Sequence, residues 1–249
     1  MIRLLDSPRP PELTDELIKA LTEKFKQTGE SVWKKPFITK GLLDMSHQKC
    51  AFSECKLVEE GKYMEVEHFH PKSLYSDEVV KWENLLPINS ACNKAKLNHD
   101  TKQKPIVNPR YENPQDHLYF QGYRFKPKTE KGELTIRVLN LNDRSLWVNK
   151  RYEIGIKAVE ELEEIRENLL DYGTNTQRSV SKQNKIVSAL RNLFLQGTPK
   201  AEYSAVVASY LLNDDDFKKV KTLMQEFDLW DEEFDELEKQ LRFCALEVH

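Results

Sequence analysis

No apolar run in this chain is long enough to cross a bilayer, since charged side chains make up 32% of its 249 residues and recur throughout. A charged-then-apolar leader is also missing, because Arg3, Asp6 and Arg9 interrupt the first ten residues. Internal repeats and low-complexity tracts are absent too, which argues against solenoids and biased linker-like chains. Cysteine is scarce: Cys50, Cys55 and Cys92 are grouped and Cys244 stands apart, which is not the framework of a small secreted disulfide protein. Reduced thiols or metal ligands are the expectation, in a soluble, cytoplasmic chain with no membrane partner. Nor is there a strong excess of one charge: 38 basic against 41 acidic residues leave a formal net charge of -3. If the partner is nucleic acid, its basic contacts must therefore be clustered locally. What remains, 39% hydrophobic and 10% aromatic residues, is enough to bury the core of one large or two small domains.

Hydrophobic spacing divides the chain. Three prolines in the first dozen residues give an extended arm. Thr14 then caps a helix whose apolar residues Leu17, Ile18, Leu21 and Phe25 share a face and which runs to about Lys26, with Gly29 beyond it. A second helix spans about 38–45. Residues 50–98 read as strand, turn, strand, loop and helix, with Gly61 as the hairpin turn. Three strand-like segments follow at 117–120, 123–125 and 134–139, with Gly122, Pro127 and Lys131-Gly132 as turns. From Ser145 onward the pattern is helical, in segments 146–171, 177–195, 201–212 and 215–246, separated by Gly173, by Gly197-Thr198-Pro199 and by Asn213-Asp214. The fold class is α+β.

The chemistry is concentrated in three places: Glu65-Val66-Glu67-His68-Phe69-His70-Pro71-Lys72-Ser73, Trp82-Glu83-Asn84-Leu85-Leu86-Pro87, and Cys92-Asn93-Lys94-Ala95-Lys96. Hydrolysis of a phosphodiester needs a deprotonated water and positive charge on the phosphate as it gains negative charge. A neutral histidine suits the first task, and His68 is the candidate base. A hard cation, Mg²⁺ or Mn²⁺, suits the second; Glu67 and the amide oxygen of Asn93 are the oxygen ligands it prefers. Asn84 is the organiser, bonding backbone across the loop so that His68 keeps its orientation. Strand geometry qualifies this scheme. Neighbours Glu67 and His68 point to opposite faces of a regular strand, so both serve one centre only if the strand ends or bulges there; otherwise His68 and His70 converge and Glu67 is solvated. Lys72, Lys94 and Lys96 supply phosphate contacts, with Lys102 and Lys104 just downstream.

These residues resemble the HNH endonucleases of the ββα-metal, or His-Me finger, fold. The likeness lies in the pair Cys50 and Cys55, the run Glu67-His68-Phe69-His70-Pro71, the loop Asn84-Leu85-Leu86 and the helix start Cys92-Asn93-Lys94-Ala95-Lys96. The resemblance implies His68 as general base, Glu67 and Asn93 as metal ligands and Asn84 as the structural asparagine. Within that family the chain is most similar to the PtuB-like branch of Septu and retron-associated antiphage defence. The branch's features are met at Glu67 to Ser73, at Trp82 to Leu86, at Asn108-Pro109, at Asn113-Pro114-Gln115-Asp116-His117-Leu118, at a Lys131-Gly132 turn and at Val138-Leu139-Asn140-Leu141-Asn142. It implies an ABC-like ATPase partner of the PtuA kind.

The chain also departs from the pattern. Many such domains hold a structural Zn²⁺ on two Cys-x-x-Cys pairs, whereas here four residues separate Cys50 from Cys55 and Asn89 stands where the partner of Cys92 belongs. His47 with Cys50, Cys55 and Cys92 is the remaining zinc set; buried reduced thiols are the other reading. Asn108 stands where the branch more often has an acid.

The expectation is an N-terminal arm and helices (1–45), a central ββα-metal module (46–104), a small β-rich extension (105–144) and a helical region for assembly (145–249). Its function would be metal-dependent cleavage of DNA or RNA. The alternatives are a catalytically silent nucleic-acid-binding subunit or a zinc-stapled scaffold.

Overall fold

Helix α1 (Asp15–Thr28) starts where the Thr14 hydroxyl accepts the Leu17 N–H at 3.2 Å, and it stops at Gly29, whose φ of 70° returns its N–H to the Phe25 carbonyl. The computed structural model that shows this describes residues 1–5, 7–58, 64–174 and 179–249. It is an α+β protein whose backbone divides into two compact units: Arg3–His117 with Pro127–Asn142, and Leu118–Lys126 with Asp143–His249.

In the first unit, Leu21 of α1 joins Val32, Trp33, Val79 and Val80 in an apolar cluster lined by Leu17, Ile18, Phe25 and Val66. Helix α2 (Pro36–Met45) begins with proline, whose missing N–H costs nothing at that position, and buries Ile38, Leu42 and Met45. It packs on β2 (Leu85–Ile88), an apolar strand buried along its whole length. Strand β1 (Glu65–His68) pairs antiparallel with β2, Glu65 opposite Ile88 and His68 opposite Leu85. Helix α3 (Ser90–Lys96) packs on β1 and is capped by Asn89, whose Oδ1 accepts the Cys92 N–H at 2.7 Å. Strand alternation then assigns Glu65 and Glu67 to one face of β1, and Val66 and His68 to the other.

Some expected elements differ. The expected hairpin at Gly61 lies outside the described residues, and the partner of β1 is β2, across a long connection. Residues 50–58 hold no regular strand; they form turns closed by the Lys49–Lys56 bridge and by the Cys50 N–H on the Cys55 carbonyl at 2.8 Å. The segment 134–139 is helical, not extended: it lies within α4 (Glu130–Val138). Alternation of Leu134, Ile136 and Val138 suggests a strand. The burial pattern is helical instead, with Gly132, Thr135 and Leu139 inward, and Thr129 caps the helix through the Gly132 N–H at 3.1 Å. Lys131-Gly132 is accordingly inside this helix, not a turn. The β-rich extension reduces to one hairpin, β3 (Leu118–Gln121) and β4 (Arg124–Pro127), turning at Gly122 and Tyr123 with φ of 55° and 61°. Both φ values are positive, as a two-residue hairpin turn of the primed kind requires.

In the second unit, the long helix α5 (Asn149–Thr174) packs against α6 (Val180–Gln196), α7 (Ser204–Asn213) and α8 (Asp215–Glu226), while α9 (Glu232–Cys244) packs on α6 and α7. Gly173 does not end α5 but lies in its last turn. The expected single helix over 215–246 is two, broken at 227–231, where Asp228 takes a φ of 55° and Asp231 caps α9. The acidic residues at 214–216 are partly structural: Asp214 caps α8, and Asp216 is held by Arg166 at 2.8 Å and Lys219 at 2.9 Å. After α9 the chain runs beside β3, with the Phe120 N–H on the Glu247 carbonyl and the His249 N–H on the Phe120 carbonyl. Among the described residues no helix is long and apolar enough to cross a membrane.

The fully buried Thr135 hydroxyl donates to the Lys131 carbonyl at 2.7 Å and accepts the Val107 N–H at 2.8 Å. Thr135→Val keeps the shape but strips the Val107 N–H of its acceptor, so it should cost about 1–3 kcal/mol in urea unfolding. A loss below about 0.5 kcal/mol would remove Thr135 as the fastening between α4 and the 105–110 segment.

Candidate functional site

On the acidic face of β1, Glu67 meets the ammonium of Lys96 at 2.5 Å, and both are buried, at 4% and 1% exposure. The same ammonium donates to the His68 carbonyl at 3.1 Å. Burial pushes the Glu67 carboxyl upward in pKa, and Lys96, through its charge and hydrogen bond, works against that rise. Lys96 was expected to contact phosphate. The structure instead places it in the interior, where its charge is engaged by Glu67.

Two residues earlier on the same strand face, the Glu65 carboxylate accepts a hydrogen bond from the Asn93 side-chain amide. Both residues line a cavity of about 920 Å³ whose walls include Trp33, Lys34, Lys35, Pro36, Thr39, Lys40, Leu43, Asp44 and Lys72. Glu65 lies two residues before Glu67 on one strand face, so period-two alternation contained this signal; the reading from sequence assigned it no role. The cavity wall at 33–36 was missed for a different reason. A Trp-Lys-Lys-Pro run carries no chemistry of its own, and only the packing of α2 on β2, which sets it across the cavity from Glu65, gives it one.

On the opposite face, His68 is 4% exposed, with its ring edge-on to Trp33 at 4.6 Å between centroids. Its Nε2 lies 2.8 Å from the Val79 carbonyl oxygen. A carbonyl can only accept, so Nε2 carries the hydrogen and Nδ1 keeps the lone pair. Burial, assisted by the charge of Lys72, lowers the imidazole pKa to about 3, which leaves it neutral at physiological pH. Lys72 sits over the Trp33 ring at 5.0 Å. His68 does not itself line the cavity; its neighbours Trp33, Val66 and Lys72 do.

Asn84 is buried in the loop before β2. Its Oδ1 accepts the His70 N–H at 2.7 Å, and its Nδ2 donates to the carbonyls of His70 and Glu78, both at 3.1 Å. It thereby fixes the backbone that leaves β1. The strand ends at His68, and the His70 ring turns to Thr101, with Nδ1 2.7 Å from its hydroxyl. The alternative of a convergent His68 and His70 above a solvated Glu67 is not realised, since Glu67 is buried. Lys94 is exposed on α3 but is not part of the cavity wall.

The three grouped cysteines are buried together. Cys50 and Cys92 sulfurs are 3.9 Å apart, and Cys55 accepts from the Ser53 hydroxyl at 3.4 Å and from the Asn89 amide at 3.1 Å. Asn89 also donates to Ser53 Oγ at 2.8 Å, so one side chain caps α3 and ties it to the 50–55 turn. Burial pushes the Cys50 thiol up to about 12, and the hydrogen bond with Cys50 and burial push Cys55 up as well. His47 sits in the turn before this group with a left-handed φ of 51°. Among the described residues, no three of His, Cys, Asp and Glu are arranged to hold a metal ion. The Asn89 amide donates to the Cys55 sulfur, so the thiols belong to a hydrogen-bonded staple, and His47, the fourth residue of the expected zinc set, stands in the adjoining turn. The oxygen donors Glu65, Glu67 and Asn93 have the chemistry that a hard divalent ion takes.

No protein-family model matches the chain. Over 237 residues it is 41% identical to the Septu protein PtuB of Bacillus thuringiensis, an alignment that covers 95% of this chain and 92% of that protein.

Two stability experiments test this geometry. Lys96→Met leaves Glu67 buried without its counter-charge and should cost about 3–5 kcal/mol in denaturant unfolding, whereas the double variant Lys96→Met with Glu67→Met should recover most of that loss. Additive losses would show that the pair is not coupled. For His68, the folded pKa lies below the ordinary 6.5, so the unfolded chain binds the extra proton at mildly acid pH. Its contribution is fully present above about pH 6.5 and fades as pH falls toward 3, amounting to about 2 kcal/mol lost by pH 5. His68→Gln should flatten the stability profile between pH 7.5 and 5 by that amount; an unchanged slope would mean that His68 is not held neutral.

Proposed function

We propose, from the premise that the chain belongs to the family of the Septu protein PtuB, that it serves in antiphage defence as a metal-dependent endonuclease of the HNH type. On this reading β1, β2 and α3 constitute the ββα module, and the chain acts together with an ABC-like ATPase of the PtuA kind.

The observation that carries the enzymatic reading is the state of His68. A buried imidazole whose Nε2–H is committed to the Val79 carbonyl presents Nδ1 as a proton acceptor of fixed orientation. Asn84 holds the backbone just beyond it. When bound, a divalent cation such as Mg²⁺ or Mn²⁺ would neutralise charge on the scissile phosphate. Glu67 and Asn93 would hold it, with Glu65 as a further carboxylate on the same strand face. Lys72 stands where it can meet a phosphate oxygen. The step this reading requires is entry of water to Nδ1 of His68.

One observation favours a second reading, a catalytically silent nucleic-acid-binding subunit: His68 is 4% exposed and Glu67 is already neutralised by Lys96. Cleavage assays decide between the two. Purified chain, with and without an ABC-like ATPase of the PtuA kind, is incubated with plasmid, single-stranded DNA and total RNA under Mg²⁺ or Mn²⁺. Wild type should cut, and His68→Ala should lose about 10²–10⁴ of the rate while retaining nucleic-acid affinity. Equal cutting by both proteins would exclude His68 as the base; binding without cutting by either establishes the silent reading.

A further inference from the structure

The cavity beside Glu65 and Asn93 has one wall that the proposed chemistry does not use. Helix α2 presents Pro36, Thr39, Lys40, Leu43 and Asp44 to it, positions spaced three and four apart and therefore on one stripe, opposite the stripe of Ile38, Leu42 and Met45 that is buried. Lys34 and Lys35 stand at the head of that stripe and Lys72 stands beside Trp33. Four lysines thus face two carboxylates, Asp44 and Glu65. Lys40 is occupied by Asp44 at 2.6 Å, and Glu65 by the amide of Asn93. Lys34, Lys35 and Lys72 form no salt bridge with any carboxylate among the described residues, although lysines elsewhere in the same unit do, such as Lys24 with Glu30 and Lys102 with Glu78.

Three lysines that form no salt bridge among the described residues, gathered at the head of α2, are complementary to a polyanion, and neighbouring cations suit successive phosphates better than a single small anion. We propose that Lys34 and Lys35, with Lys72, form a phosphate track at the head of α2 that holds the nucleic-acid backbone as it leads to Glu65 and Asn93. The inference rests on the reading that this site handles nucleic acid, and it adds the surface that grips the strand. Recognition by such a track is of backbone charge, so it is independent of sequence.

The test measures binding and turnover separately on the full-length chain. Fluorescence anisotropy with labelled single-stranded DNA, duplex DNA and RNA, each of two unrelated sequences and without divalent cation, is followed from low to moderate salt. Removing two phosphate contacts by Lys34→Ala with Lys35→Ala should reduce the slope of log affinity against log salt by roughly 1.4–1.8, equally for both sequences of whichever nucleic acid wild type binds. Lys150→Ala with Lys157→Ala, in the other unit, should leave it unchanged. Where cleavage is present, the Lys34 and Lys35 pair should raise KM with kcat kept within about twofold, the reverse of His68→Ala. Both side chains are at least partly exposed, so folding should persist, as checked by thermal melting; charge reversal to Glu should deepen the same defect. A slope equal to wild type, or no binding of any nucleic acid by wild type, overturns the track. A reduced slope in a protein that never cuts upholds the track and removes only the nuclease.

Discussion

The buried ion pair between Glu67 and Lys96 fixes the position of everything around it. A lone buried charge costs several kcal/mol, so neither residue can be in place without the other, and helix α3 is thereby held at one register on β1. The register has a second consequence. Asn93 and Lys96 are three apart on a helix, about 4.5 Å along its axis, while Glu65 and Glu67 are two apart on a strand, about 6.6 Å. The two spacings are close enough for both pairs to form at once, so Lys96 on Glu67 brings Asn93 onto Glu65.

The other strand face is governed by a different demand. Val66 belongs to the apolar cluster of α1, Val32, Trp33, Val79 and Val80, and His68 follows it onto that side. An imidazole there must be neutral and must have a partner for its N–H. The Val79 carbonyl provides that partner and thereby selects the tautomer. One four-residue strand therefore carries a charged face that sets geometry and an apolar face that sets protonation. The proposed chemistry draws on both, and the strand end at His68, pinned by Asn84, is where they adjoin.

Legibility in the sequence followed the strength of local signals. Thr14, the 17–25 apolar stripe and Gly29 mark α1 within two residues of its observed end, because cap, period and terminator agree. The segment at 134–139 misled because alternation of Leu, Ile and Val outweighs a helical stripe built from Gly132 and Thr135, which carry little apolar weight. The tail at 215–246 reads as one helix because its apolar spacing continues through 227–231; only Asp228 and the cap at Asp231 reveal the break. In the site, Asn84 was legible by residue type as the side chain that bonds backbone across the loop. Lys96 was not, since a lysine beside an asparagine at a helix start looks the same in sequence whether it faces solvent or a carboxylate.

Composition and motif by themselves determined that this is an α+β chain, without a long apolar span, that carries its candidate site residues on a short strand, a loop and a helix start. Those conclusions need only local spacing and side-chain chemistry. Tertiary structure alone decided which carboxylate is neutralised, that Asn93 meets Glu65, that His68 is held as the Nε2–H tautomer, and that the lysines before α2 face the same cavity. Each of these depends on residues far apart in the chain, and charge state, tautomer and reach are properties of the neighbours that packing supplies.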